Sequence, residues 1–203
     1  EEFLIKRRAE IMNALGTCCR HENIIEEAKS WFDKSMELWP TSPDIQNNRG
    51  SMHINDGHPE LAIPYFNKAI EFEADHAFAH WNKGLALLEL GNYTEGWPEH
   101  EWGLQAGIRV PRNYSRKKGV ILPYWKGEKN RRVIVYGEQG IGDEILFASC
   151  IPDLARDQEF VVFDCHKRLR RLFYNSFKHL REPNGIHCYP SRESDPVFWP
   201  HNY

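Results

Sequence analysis

The 203-residue sequence has no apolar run near the roughly 20 residues that cross a bilayer, which excludes a membrane-spanning helix. It has no CxxC pair. Its five cysteines, Cys18, Cys19, Cys150, Cys165 and Cys188, fit neither zinc-site spacing nor a disulfide framework, and they read as reduced thiols of a cytoplasmic protein. A large charge of either sign is also missing: the net charge of -3 exerts no general pull toward nucleic acid or membrane. No signal peptide opens the chain and no Met does either, which leaves a removed upstream segment open. There is no GK[ST] triplet and no GxGxxG, so the P-loop and the dinucleotide fingerprint are both absent. His76 and His80 stand four apart without a third ligand nearby, and neither a metal nor a cofactor is assigned.

What the sequence does have is core-forming capacity, with 41% hydrophobic residues, and a period. Gly16, Gly50 and Gly84 are spaced by 34 residues; so are Ala28, Ala62 and Gly96, Phe32 and Phe66, and Asn23, Gly57 and Gly91. Pro40 closes the first unit. Small residues on two helices allow close antiparallel contact, and a glycine or asparagine between them supplies a left-handed turn. With these residues, units at about 9–42, 43–76 and 77–110 resemble tetratricopeptide repeats, filling residues 1–106 with paired helices. The third unit decays at His100 and Gly103, as a capping repeat does. The first helices of such pairs line a binding face. Asn13, Asn47 and Trp81 share one repeat position there, near Phe78 and Leu85, and side-chain amides suit an extended peptide. No dense set of Lys or Arg marks the groove, so an acidic tail is not the expected ligand.

Residues 107–131 break the helical period and read as an exposed connection, in which Trp125, with Trp97 and Trp102, is expected to glue a seam. From 132 to 203 strands alternate with helices: strands at 132–136, 159–165 and 186–190, helices at 143–156 and 166–180. Pro152 should kink the first helix or end its regular bonding. This order implies a small α/β Rossmann-like domain with a parallel sheet.

The stretch "GEQGIGDEILF" at 137–147 sits at the first strand's carboxyl end, where open sheets bind ligands. Together with "EGWPEHEW", "PYWKGE" and the repeats, it resembles bacterial and phage proteins that join tetratricopeptide repeats to a glycosyltransferase-like domain related to heptosyltransferases. That resemblance implies a partial GT-B fold, a sugar nucleotide as co-substrate and a glycan acceptor. It makes Asp143 the general base, with Glu138 and Glu144 as helpers and Gly137, Gln139, Gly140 and Gly142 as the ligand-binding loop. The plainer role for Asp143 is a helix cap. The family's donor-binding C-terminal domain has no counterpart here, so the chain is either a piece of a longer enzyme or a short relative kept as a binding module. Two functions follow: sugar transfer, or a non-catalytic scaffold that binds a peptide or protein through the repeats.

Overall fold

The computed structural model describes residues 1–109, 123–137, 140–180 and 186–189. The chain divides into two compact units, Glu1–Val110 and Pro111–Tyr203.

The first unit is a row of three helical pairs: α1 (Glu2–His21) with α2 (Ile25–Leu38), α3 (Pro43–Asn55) with α4 (Pro59–Phe72), and α5 (Ala77–Glu89) with α6 (Tyr93–His100). Each pair turns on a residue in the left-handed region, Asn23 (φ 61°), Gly57 (φ 78°) and Gly91 (φ 78°), which is why that position favours glycine or asparagine. The helices of a pair meet where a side chain is missing. A Cβ on Gly16 would lie 2.7 Å from the Phe32 ring, and one on Gly50 would lie 2.7 Å from the Phe66 ring. In the third pair Gly84 faces backbone instead, and a Cβ on it would lie 2.6 Å from the His100 backbone nitrogen.

The pairs are linked by the same aromatic residues. Phe32 clusters with Ala28 and with Met52 of α3, and Phe66 clusters with Ala62 and with Ala86 of α5. Each plug thus reaches the first helix of the following pair, as the spacing anticipates. The third pair ends the row differently. His100 occupies the plug position, its ring centroid 4.1 Å from Trp81 and 5.4 Å from Trp97, and α6 gives way to a 3-10 turn over Glu101–Gly103. Trp102 stacks on His80 within this unit, at 4.0 Å.

The second unit runs β1 (Arg132–Tyr136), α7 (Ile141–Phe147), α8 (Ile151–Asp157), β2 (Phe160–Asp164), α9 (Arg170–Ser176) and β3 (Ile186–Tyr189). The strands are parallel in the order β1-β2-β3, with Val133 beside Val161 and Val161 beside Ile186. Val133, Val161, Phe163 and Ile186 form a core with Ile151, Leu169, Phe173 and Phe177. The single helix expected at 143–156 is two, α7 and α8, joined by a 3-10 turn at Ala148–Cys150. Pro152 stands in the first turn of α8, where the missing N–H has no partner to lose, so it starts a helix rather than bending one. The helix expected at 166–180 contracts to α9 and a 3-10 turn at Lys178–Leu180. Among the described residues the sheet has three strands, short of the nucleotide-binding domain that the resemblance implies. In the preceding segment Trp125 is partly exposed, and its indole N–H donates to the Glu128 carbonyl at 2.7 Å. Residues 110–122, most of the connection, lie outside the described residues.

Candidate functional site

Helix α3 touches both α1 and α5, so the first helices of the three pairs share a face. Two hydrogen bonds between amide side chains run across it. Asn48 Nδ2 donates to Asn13 Oδ1 at 3.0 Å, and Asn82 Nδ2 donates to Asn47 Oδ1 at 2.9 Å. Asn48 and Asn82 are themselves 34 residues apart; the period contains them, but only the neighbouring position is picked out by sequence analysis. Asn82 also reaches Ser51 Oγ at 3.3 Å. The hydroxyls of Thr17 and Ser51 bond back to the carbonyls of Asn13 and Asn47, one turn earlier. The bonds from Asn48 and Asn82 fix each side-chain acceptor oxygen toward the next repeat, and so fix the orientation of the Asn13 and Asn47 amides.

Phe78 is 49% exposed and Leu85 39%, so the face turns apolar at its third pair. Trp81 is not part of it. Although it shares the repeat position of Asn13 and Asn47, its side chain is buried, in the space left by Gly103, where a Cβ would overlap its ring. Two cations of α3 and α5 are matched. Arg49 pairs with Asp33 at 2.9 Å and Lys83 with Glu99 at 2.9 Å.

Glu99 is the electrostatic centre of the third pair. Burial alone would raise its carboxyl, but hydrogen bonds from Lys83 and from His80 (2.5 Å) outweigh that and hold it below the usual carboxylate range. A depressed carboxylate contributes stability that is present above its unfolded value of 4.5 and is lost as pH falls through the folded value. Urea unfolding of the parent should therefore show an added loss of stability below about pH 4.5. Glu99→Gln should flatten that acid limb and, at neutral pH, lower stability by about 1–3 kcal/mol through the stranded Lys83 and His80 partners. An unchanged acid limb in the variant would overturn this assignment. His53, held low first by burial and then by Arg49, works in the same direction from pH 6.5 downward: the unfolded chain accepts its proton before the folded one does.

In the second unit the glycine corner resolves into parts with different reasons. A Cβ on Gly137 would stand 2.7 Å from Glu144 Oε2, so a larger residue there would displace that carboxylate. Gly140 caps α7 with φ -68°, which any residue adopts, and a Cβ on Gly142 would meet nothing. Asp143 is exposed, and its Oδ2 accepts the Gly140 N–H at 3.2 Å, a capping contact. Glu144 turns inward: it is buried, and its Oε1 accepts the His166 backbone N–H at 2.5 Å, linking the β1–α7 corner to the chain just past β2. Asp164, at the end of β2, is buried too. Burial first, then the Cys188 thiol and the carboxylates of Glu144 and Asp164, pushes the Cys165 thiol up to about 12, so it is unreactive at neutral pH. Glu138 and Gln139 lie outside the described residues. The structure therefore separates Asp143 from Glu144, one facing solvent and the other the strand ends. Among the described residues, no group of three or more His, Cys, Asp or Glu side chains could hold a metal ion, and no helix is long and apolar enough to cross a membrane.

Residues 43–76 match the family model of the tetratricopeptide repeat, and the first unit is a helical array like those of tetratricopeptide repeats. Protein FlbA of Caulobacter vibrioides is 28% identical over 179 residues, covering 83% of this chain and 29% of FlbA. That alignment is longer than Glu1–Val110, so it reaches into the second unit. Superkiller protein 3 of Saccharomyces cerevisiae is 31% identical over 72 residues, 34% of this chain and 5% of that protein. The chain thus spans less than a third of either relative's length. Among solved structures, the first tetratricopeptide domain of human RPAP3 is similar at 20% identity and a TM-score of 0.48, over 52% of this chain and 83% of that one.

Proposed function

We propose that the protein is a scaffold whose repeat face, built on α1, α3 and α5, binds an extended and largely uncharged peptide segment of a partner protein. The observation that carries this is the amide pairing. Asn48 and Asn82 occupy the oxygens of Asn13 and Asn47, which directs the Nδ2–H groups of those two residues, one repeat apart, away from the bonds between repeats. Donors held at a fixed spacing suit the carbonyls of an extended backbone, which any sequence supplies. Phe78 and Leu85 then offer an apolar contact at one end, and the paired state of Arg49 and Lys83 removes the attraction for an acidic tail. Sugar transfer through Asp143 rests on the residue pattern of 137–154 alone, because that carboxylate is engaged as a helix cap.

The test replaces donors while keeping acceptors. Asn13→Asp and Asn47→Asp retain the oxygens that Asn48 and Asn82 need but remove the outward N–H groups. Each hydrogen bond lost should weaken a captured peptide by about 0.5–1.5 kcal/mol, so the double variant should bind about tenfold more weakly with unchanged folding. Neutral peptide libraries screened by fluorescence polarisation provide the ligand, and Phe78→Ala tests the apolar end. Equal affinity in parent and double variant would remove the reading. Trp81→Ala is unsuitable, since it empties a buried site.

A further inference from the structure

We infer that the outer face of α9, with the turns on either side of it, docks the second unit onto an anionic lipid surface. The small net charge of the chain conceals two opposite balances. Residues 1–110 hold 18 Asp or Glu against 10 Lys or Arg, a balance of -8, whereas residues 111–203 hold 11 against 16, a balance of +5. The positive charge is concentrated: from 165 to 181 the sequence has six Lys or Arg and no Asp or Glu. Leu169, Phe173 and Phe177 turn into the core, which leaves Arg168, Arg171 and Lys178 on the opposite side, spaced as one helical stripe. Arg168, Arg170, Arg171 and Lys178 are exposed and, among the described residues, have no ion pair. Acids of the same unit are engaged elsewhere. Asp153, Asp157 and Glu159 hold Arg156, Lys129 and Arg132, and Asp143 caps α7.

Apolar side chains decide which polyanion this face fits. Leu172 is 47% exposed on one flank of the stripe, and Tyr174 is exposed on the other. Helix α7 covers the same sheet face, since Ala148 and Ile151 just beyond it share one core with Leu169 and Phe173. The bond from the His166 N–H to Glu144 ties α7 to the start of the basic segment. Leu146 on α7 is 65% exposed, and Phe147 is exposed beside it. The phosphate backbone of a nucleic acid has no use for aliphatic side chains. A bilayer takes cations at its headgroups and Leu, Phe and Tyr just beneath them. Arginine adds paired N–H donors for the lipid phosphates. The negative balance of the repeats keeps that unit off the same surface.

The test measures co-sedimentation of the whole chain with two kinds of vesicle, pure phosphatidylcholine and phosphatidylcholine with about one third phosphatidylglycerol. The parent should pellet with the anionic vesicles only, and raising the salt from about 0.1 M to about 0.5 M should release it. Each cation at such a surface is worth about fivefold in partitioning, so the combined variant Arg168→Ser, Arg171→Ser and Lys178→Ser should bind about a hundredfold more weakly. Its circular dichroism should match the parent's, because all three side chains are exposed. Leu172→Ser should cost about fivefold at low and high salt alike, since it removes apolar area rather than charge. Arg7→Ser, which removes a cation paired with Glu10 in the repeat unit, should bind as the parent does. Failure of the parent to pellet with the anionic vesicles overturns the inference, as does equal binding by parent and triple variant. Tighter binding to a duplex oligonucleotide than to the anionic vesicles, with Leu172→Ser without effect, overturns it too and assigns the stripe to nucleic acid.

Discussion

Phe66→Ala should lower the stability of the repeat array by about 3–5 kcal/mol, the range for emptying a buried aromatic site. The ring is fully buried, lies against Gly50 in its own pair and reaches Ala86 in the next, so truncation opens a cavity that two pairs share. In a linear array stability is close to a sum of unit and neighbour terms, and this residue enters both. Chemical unfolding followed by far-ultraviolet circular dichroism would show a loss of cooperativity as well as a lower midpoint. Gly50→Ala presses on the same ring from the other side: its new Cβ would lie 2.7 Å from Phe66 Cε1, and overpacking of that kind costs about 1–3 kcal/mol. The two changes should not add, because the cavity left by Phe66→Ala accepts the extra methyl. A double variant no more stable than the sum of the singles would show that Gly50 is needed for some other reason.

The repeat half is legible in the sequence because its geometry is used three times. One close contact between helices fixes Gly16 and Gly50, one turn fixes Asn23, Gly57 and Gly91, and one interface between pairs fixes Phe32 and Phe66. The period fails where a local position is overruled by something distant. Trp81 reads as a groove residue by its repeat position, yet Gly103, 22 positions later, leaves a space that takes the indole inward. The shared repeat position of Asn13 and Asn47 is legible, whereas the bonds from Asn48 and Asn82 that orient them depend on the stagger between pairs, which spacing along one chain does not encode.

The glycine corner shows the same limit at a finer scale. Adjacent residues on a helix point about 100° apart, so the choice between Asp143 and Glu144 depends on where α7 begins and how it meets the sheet. The residue pattern favours the first as the working acid. The geometry gives the structural weight to the second. Glu144→Ala should therefore destabilise the second unit by about 2–4 kcal/mol, combining a lost bond to a charged acceptor with the unsatisfied His166 N–H left behind. Asp143→Ala removes one exposed capping contact and should cost only about 0.5–1 kcal/mol. Hydrogen exchange at the amides of Val161, Val162 and Phe163 in β2 reads this unit separately from the helices. Protection should fall strongly in the Glu144 variant and slightly in the Asp143 variant, and Glu144→Gln, which keeps an acceptor oxygen, should recover part of it. If both alanine variants protect β2 equally, Glu144 does not hold β1 and β2 together at this corner, and the reason for a glycine at 137 is lost with it.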